Sequence, residues 1–153
     1  MRYVVRALLC VLVLTTALGS RAEAQAPVPP LRSAVFPKDS ARSKRLASNQ
    51  RSLVDTTTAI LAKLEIHEST LKPGQNSHPP HRHAHEEVIV LYQGDVDVLQ
   101  GDVHRKAHGG DVIFLASNEW HNFTNVGATD AKYLVIRMDT HDQPKDLPST
   151  PAP

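Results

Sequence analysis

The sequence predicts an all-β fold, built as an antiparallel sandwich or barrel, and three observations support this prediction. Short segments with apolar residues at every second position recur along the chain, which is the period of a half-buried strand. Turn signals that contain glycine separate these segments at intervals of roughly 7–17 residues, as in sandwiches and barrels. No segment shows a convincing helical stripe of apolar residues, although residues 40–47 could form a short helical turn.

The individual strands can be placed by their patterns. In the first, apolar residues alternate with mostly polar ones from Ile60 to Ile66. Two apolar runs follow, and each ends in a Gln-Gly-Asp turn of the kind that closes a hairpin. No proline occurs between His81 and Gln143, which suits a region of central strands. The predicted strands are residues 60–66, 88–92, 96–99, 112–115, 120–126 and 132–138.

Length and composition indicate one small globular domain. The chain has 153 residues, of which 41% are hydrophobic and 22% are charged, and this length is too short for two typical domains. The formal net charge of +1 gives no broad basic field, so we expect no nucleic-acid partner. Histidine is the unusual residue, with nine copies.

The amino terminus has the features of a secretory signal peptide. Arg2 and Arg6 precede an apolar run at residues 7–18, and the small-residue stretch that ends at Ala24 follows. The apolar run has about 12 residues, well short of the roughly 20 that cross a bilayer, so we expect no stable membrane anchor. Cleavage after Ala24 would place the protein in the periplasm or outside the cell.

Composition also divides the rest of the chain. After the signal peptide, residues 1–24, we predict an extended amino-terminal arm at residues 25–57, a barrel at residues 58–138 and a proline-rich, disordered tail at residues 139–153. Cys10 would leave with the signal peptide, so a metal site would use nitrogen and oxygen ligands. The arm is long enough to pair with the sheet of a second copy, which favours a homodimer.

The histidines cluster where the first long apolar run begins. His81 and His83 are two residues apart and therefore share one face of an extended strand, Glu87 follows four residues later, and His121 lies in a later strand-like segment. Three neutral imidazoles and one carboxylate make a site that suits Fe, Mn, Ni, Cu or Zn. The alternative is a surface histidine tract with weak, adventitious metal affinity.

This part of the chain resembles the cupin family. The first cupin motif is a glycine, a short spacer, His-x-His, three or four residues, glutamate, six residues and a second glycine. The chain matches this motif at Gly74, His81, His83, Glu87 and Gly94. The spacer between Gly74 and His81 has six residues where the motif has five, a difference that a loop can absorb.

The second cupin motif is a glycine, five residues, Pro-x-Gly, two residues, histidine, three residues and asparagine. Gly110, His121 and Asn125 match it, whereas Ala116 replaces the proline and Asn118 replaces the second glycine. Asparagine tolerates positive φ better than most residues with a side chain, so the turn can survive. Neither departure touches a ligand position.

The resemblance implies a fold, a site and a class of chemistry. Cupins are antiparallel jelly-roll β-barrels, here a single domain, and their metal ligands carry over onto His81, His83, Glu87 and His121. The implied cofactor is one divalent transition metal ion, with Fe, Mn, Ni, Cu and Zn left open. Many single-barrel cupins are dioxygenases, and cupins commonly associate as dimers.

The other histidines receive lesser roles. His85 lies between His83 and Glu87, and we expect it to support a ligand or to face solvent rather than to coordinate. His78 could rim the opening of the site, and His67 could line a cavity from the polar face of its strand. The histidines expected at the surface are His104, His108 and His141.

Three functions are compatible with such a site, and in each of them the partner is expected to be a small-molecule ligand or substrate. We favour a metal-dependent oxygenase, because four protein ligands on an octahedral ion leave two positions for substrate and O₂. The second function is a metal-dependent isomerase or lyase, which needs an acid or base beside the ion. The third is a protein that binds a small ligand or a metal without turnover. The candidate acid–base side chains are Tyr92, Tyr133, His67 and Glu86.

Overall fold

The computed structural model describes residues 29–37, 44–47 and 49–148. These residues contain nine β-strands and no helix, and so none that could span a membrane. The predicted signal peptide lies outside the described residues. The strands are β1 (Lys44–Ala47), β2 (Gln50–Thr56), β3 (Lys63–Leu71), β4 (Glu86–Gln93), β5 (Asp95–Gln100), β6 (Val103–His108), β7 (Val112–Leu115), β8 (His121–Asn125) and β9 (Ala131–Asp139).

The strands form two antiparallel sheets that share one core. The larger sheet has the order β1-β2-β3-β9-β4-β7, and the smaller sheet has the order β6-β5-β8. Side chains of both sheets meet in one hydrophobic cluster, which includes Leu91 of β4, Val98 of β5 and Phe123 of β8. The predicted all-β class is confirmed, and the arrangement is consistent with a jelly-roll barrel of the cupin type.

One end of the barrel interior is apolar. Alternate residues of β3, β9 and β4 face inward, and at this end they are buried and, except for Ser69 of β3, aliphatic or aromatic. Their burial contributes to stability in proportion to the apolar area removed from water. We call this region the apolar end, and its members on the three strands are Leu71, Ile89, Leu91, Ala131, Tyr133 and Val135.

At the other end, the same inward-facing positions carry ionisable side chains. Glu65, Arg137 and Glu87 lie in one row across the three strands, because Arg137 is the register partner of both carboxylates. In the next row Lys63 lies opposite Asp139, whose carboxylate accepts hydrogen bonds from Arg137 Nε at 2.7 Å and Nη2 at 2.8 Å. We call these five residues the polar end.

The first predicted strand begins later than expected. β3 starts at Lys63 rather than at residue 60, and Ile60 is 79% exposed instead of lying on an apolar face. The Thr58 hydroxyl oxygen accepts hydrogen bonds from the backbone N–H groups of Ile60 and Leu61, at 3.3 and 2.9 Å. This local turn competes with the strand, and apolar alternation does not reveal it.

Three observed strands were not predicted. β6 lacks alternation because its side chains are mostly polar and exposed, and within it only Ala107 is buried. β1 and β2 lie in the predicted arm, and the helical turn suggested for residues 40–47 is wrong for the four residues of β1. β2 pairs with β3 of its own chain and buries Ser52 and Val54, so this part of the arm completes its own sheet.

The described part of the tail is bound to the barrel, although it has no regular secondary structure after β9. Asp146 accepts a hydrogen bond from the backbone N–H of Ala84 at 2.6 Å, and Arg82 donates two hydrogen bonds to the carbonyl oxygen of Pro148. Polar groups of the barrel pair with the tail as far as Pro148, and the disorder expected for residues 139–153 stays a prediction.

Candidate metal centre

Two segments that are distant in the sequence carry the histidines and pair directly with each other. His81 and His121 form an isolated antiparallel bridge, in which each backbone N–H donates to the other's carbonyl oxygen, at 3.2 and 2.9 Å. The backbone N–H of Asn118 also donates to the carbonyl oxygen of His83, at 2.7 Å. The backbone therefore fixes the first histidine pair against the segment that contains His121.

The side chains of His81, His83 and His121 converge. Each offers one ring nitrogen, and the three nitrogens lie within 4.8 Å of one another. The ring centroids of His81 and His83 are 4.4 and 4.6 Å from that of His121, and 5.3 Å from each other. A cluster of three imidazoles at this separation could hold a metal ion.

The hydrogen bonding of the rings fits a metal better than it fits a closed polar network. His83 donates from Nδ1 to the carbonyl oxygen of His85, and His121 donates from Nδ1 to that of Glu119, both at 2.9 Å. These bonds fix the rings and leave each Nε2 with a lone pair. Within the described residues, His121 Nε2 and His81 Nδ1 are buried without any hydrogen-bond partner, and such orphaned nitrogens are costly unless a ligand uses them.

Burial also sets the protonation states that a metal requires. Desolvation lowers the pKa of His121 to about 4, and it lowers the pKa values of His81 and His83 as well. Burial opposes ionisation of Glu87, but a hydrogen bond from His85 helps to bring its pKa below the usual value. At neutral pH the site therefore presents three neutral imidazoles and one carboxylate, which are the ligating forms.

Glu87 lies beside the cluster, at the start of β4. It belongs to a second compact group of potential ligands, with His83 and His85, and His83 is common to the two groups. Glu87 Oε1 is 3.7 Å from His83 Nε2 and 3.4 Å from His85 Nε2. The structure thus brings three predicted ligands into one group and the fourth next to it, and the four-ligand set remains a prediction.

His85 is closer to the centre than the sequence interpretation suggested. Its side chain is buried, and its ring stacks on that of His83, with centroids 3.4 Å apart and planes 9° from parallel. Two parallel rings that both direct Nε2 toward Glu87 cannot both aim their lone pairs at one ion, so His85 is better placed to hold the carboxylate. The sequence contained a pattern that could have predicted this position of His85. His81, His83, His85 and Glu87 alternate, and alternate residues of an extended segment share one face.

The remaining histidines lie largely where expected. The ring of His78 is edge-on to that of His81, with centroids 4.1 Å apart, so it borders the cluster. His104 and His108 are exposed on β6 and pair with Asp97 and Asp95, at 2.5 and 2.7 Å. His141 is also exposed.

The four candidate acid–base side chains separate into two pairs. Tyr92 and Glu86 are exposed and lie outside the barrel. Tyr133 faces inward but is packed at the apolar end, where burial raises its pKa to about 12. His67 also faces inward, opposite Val135, and its Nδ1 is 3.3 Å from Glu65 Oε1 of the polar end.

A cavity of about 360 Å³ adjoins the centre through His85. The tail forms one of its walls, and the barrel forms the others. The lining is mixed, with apolar side chains beside hydrogen-bonding groups, as in many small-molecule sites. The tail residues in the wall are Thr140, Gln143 and Pro144, and the barrel residues include Leu61, Ala84, Ser117 and Met138.

Comparison with known families supports the cupin superfamily. Residues 67–137 match the family model described as a cupin domain, and this range contains all four predicted ligands. Among curated protein sequences, none matches the chain significantly.

Several solved structures share the fold at low identity. KdgF from Halomonas sp. is 14% identical, with a TM-score of 0.56 over 72% of this chain and 97% of that chain. An RmlC-like cupin from Shewanella frigidimarina is also 14% identical, with a TM-score of 0.54 over 72% and 95% of the two chains. The cupin domain of Cnp3 from Schizosaccharomyces pombe is 9% identical, with a TM-score of 0.51 over 59% and 61%. Identities this low show the fold alone.

Proposed function

We propose that this protein, with its cupin domain at residues 67–137, is a metalloenzyme that acts on a small organic molecule. One divalent transition metal ion would be held by His81, His83, His121 and Glu87. The observation that carries the proposal is the convergence of three neutral imidazoles, one buried and two half-buried, two of which have a ring nitrogen without a hydrogen-bond partner among the described residues. A structural histidine cluster would instead satisfy those nitrogens internally.

The favoured reaction class is oxygenation. When bound, the metal would supply the redox or Lewis-acid chemistry, and four protein ligands would leave two positions on an octahedral ion open. The protein's own residues would place the substrate. Arg137, the register partner of Glu87, and Lys63, one row further out on β3, are half-buried inside the barrel and can orient polar substrate groups by hydrogen bonding.

A second reaction class, isomerisation or elimination by proton transfer, is supported by His67. This residue is the candidate base that faces the interior beside the polar end, and its Nδ1 is buried and close to Glu65. A carboxylate beside an imidazole orients the ring and offsets the positive charge that the ring gains when it abstracts a proton. The two classes differ in one observable, which is the consumption of O₂.

The test begins with metal analysis of the purified full-length protein, followed by oxygen uptake with small phenols, diketones and carboxylates. We expect close to one transition metal ion per chain, and O₂ consumption with at least one substrate class. Absence of bound metal after loading with Fe, Mn, Ni, Cu and Zn in turn would contradict the proposal. Metal binding without O₂ uptake, together with solvent-deuterium incorporation that His67→Gln abolishes, would favour proton transfer.

Export and dimerisation are further proposals that rest on sequence. The charged and apolar pattern of residues 1–24 supports cleavage after Ala24, and mass spectrometry of the protein from its native host should give Gln25 as the first residue. A homodimer is expected by analogy with cupins, and light scattering at high concentration tests it. A monomer mass would overturn the dimer without affecting the metal site.

A further inference from the structure

The tail crosses the two segments that carry the histidines. We define residues 143–148 as the C-terminal strap. Its hydrogen bonds reach the segment of His81 and His83 through Arg82 and Ala84, and the segment of His121 through Asn118. The strap is therefore attached to both halves of the candidate centre.

Asn118 is the principal attachment on the His121 side. Its side-chain Nδ2 donates to the carbonyl oxygen of Lys145 at 3.0 Å, and its Oδ1 accepts from the backbone N–H of Leu147 at 2.8 Å. The residue has a φ of +59°, the left-handed conformation that usually selects glycine. Asparagine satisfies the same turn and adds a side chain that bonds the strap at two points, which glycine cannot do.

The attachments on the other side lie between the histidines. Asp146 Oδ1 accepts from the backbone N–H of Ala84 at 2.6 Å, between His83 and His85. The Arg82 guanidinium donates from Nε and Nη2 to the carbonyl oxygen of Pro148, at 2.9 and 2.7 Å. The same guanidinium lies 5.0 Å above the ring of Trp120, the residue before His121.

We propose that Asn118 and Asp146 are positioning residues of the metal centre, because they use the strap to hold the two ligand-bearing segments together. This inference rests on the proposed metal site. Residues 82–85 form no regular strand, so fewer backbone bonds fix His83 than fix a residue within the sheet. A strap that fixes this segment from outside keeps the imidazoles convergent and slows loss of the metal.

The test measures release of zinc from the loaded, full-length protein to the chromogenic chelator 4-(2-pyridylazo)resorcinol at neutral pH. Asn118→Gly keeps the turn conformation and removes both side-chain bonds, and Asp146→Ala removes the acceptor for Ala84. We expect each to release zinc about tenfold faster, the lower range for residues that support ligands. Asp146→Asn retains an acceptor oxygen and should restore slow release.

Asn49→Gly provides the matched control. Asn49 Nδ2 also donates to a backbone carbonyl, that of Thr70 at 3.2 Å, but it joins the turn before β2 to β3, away from the centre. This variant should release zinc at the wild-type rate, and circular dichroism of the metal-free proteins should show all variants folded.

The outcomes separate the strap from the site. Faster release in Asn118→Gly and Asp146→Ala, with rescue by Asp146→Asn, supports the positioning role. Wild-type release rates in both variants overturn it while leaving the metal site intact, and so does an equal acceleration in Asn49→Gly, which would indicate general loosening. If the wild-type protein binds no zinc, cobalt or other transition metal, the proposed function itself fails.

Discussion

The two ends of the barrel interior are built on the same three strands and differ in what faces inward. At the apolar end, Leu91 and Tyr133 are buried side by side and join the core of the domain. At the polar end, four residues away along the same strands, Glu87 and Arg137 occupy the equivalent positions. The first arrangement stabilises the fold, whereas the second brings charge into a partly dry site, which is stable only when partners or a ligand compensate it.

This difference explains where the candidate centre lies. The packed apolar end fixes β4 and β9. The pairing of these two strands continues to the polar end and so fixes the positions of Glu87 and Arg137. His81 and His83 lie on the irregular segment before β4, and His121 lies at the start of β8. Function-bearing residues on irregular segments, held by a packed scaffold, are a common arrangement in proteins.

The largest effect is expected from His121→Ala, which removes one of the four proposed ligands and leaves the apolar end untouched. Metal affinity should fall by at least the roughly 10–100-fold typical of changes that merely support ligands, and any activity should fall with it. Competition with a chromogenic chelator measures the affinity. Retention of wild-type affinity would show that the metal, if present, is bound elsewhere.

Leu91→Ala, at the apolar end, should lower stability rather than metal affinity. Leu91 is 1% exposed, so its truncation should lower the free energy of unfolding by about 2–5 kcal/mol through lost burial and an internal cavity. Urea denaturation of the metal-free protein measures this loss. Metal affinity of the folded fraction should stay near the wild-type value, and a strong decrease would show that the two ends are not separable.

Acid should lower the stability of the metal-free protein, because the histidines of the candidate centre take up protons more readily in the unfolded chain. The pKa of His121 is about 4 in the folded chain and near 6.5 when unfolded, so the unfolded chain binds more protons between these values. Stability should therefore decline as the pH falls from about 6.5 toward 4, and depressed pKa values at His81 and His83 add to the decline. Urea unfolding at successive pH values measures it.

His121→Gln is the control for this pH dependence. It removes one buried imidazole, so its stability should depend less steeply on pH than that of the wild type over the same interval. Identical slopes for the two proteins would mean that His121 is not buried in neutral form.

A smaller effect is expected from His85→Ala. His85 contacts the Glu87 carboxylate but lies parallel to His83, so its loss should loosen a ligand rather than remove one. We expect about tenfold weaker metal binding, the low end for residues that support ligands. His104→Ala is the control, because that exposed residue of β6 pairs with Asp97 of β5, away from the histidine cluster, and it should leave metal binding unchanged.

The all-β class was within reach of the sequence because alternation is a local pattern, and the convergence of His81, His83 and His121 was implied by the resemblance of two motifs to the cupin family. The late start of β3 could not be predicted. It depends on the hydrogen bond that the Thr58 hydroxyl accepts from the backbone N–H of Leu61, which competes with strand pairing. β6 was also missed, because exposed polar residues on an edge carry no hydrophobic signal. The strap depends on contacts between Asn118 and the distant Lys145, and no local pattern reports such contacts.

Anomalous X-ray diffraction from a crystal of the metal-loaded protein, at the absorption edge of the bound metal, tests the central claim most directly. We predict one strong anomalous peak per chain, between the ring nitrogens of His81, His83 and His121 and within bonding distance of a Glu87 oxygen. A peak at the exposed His104 and His108, or no peak among the three converging histidines, would contradict the assignment of the metal centre to these histidines and Glu87.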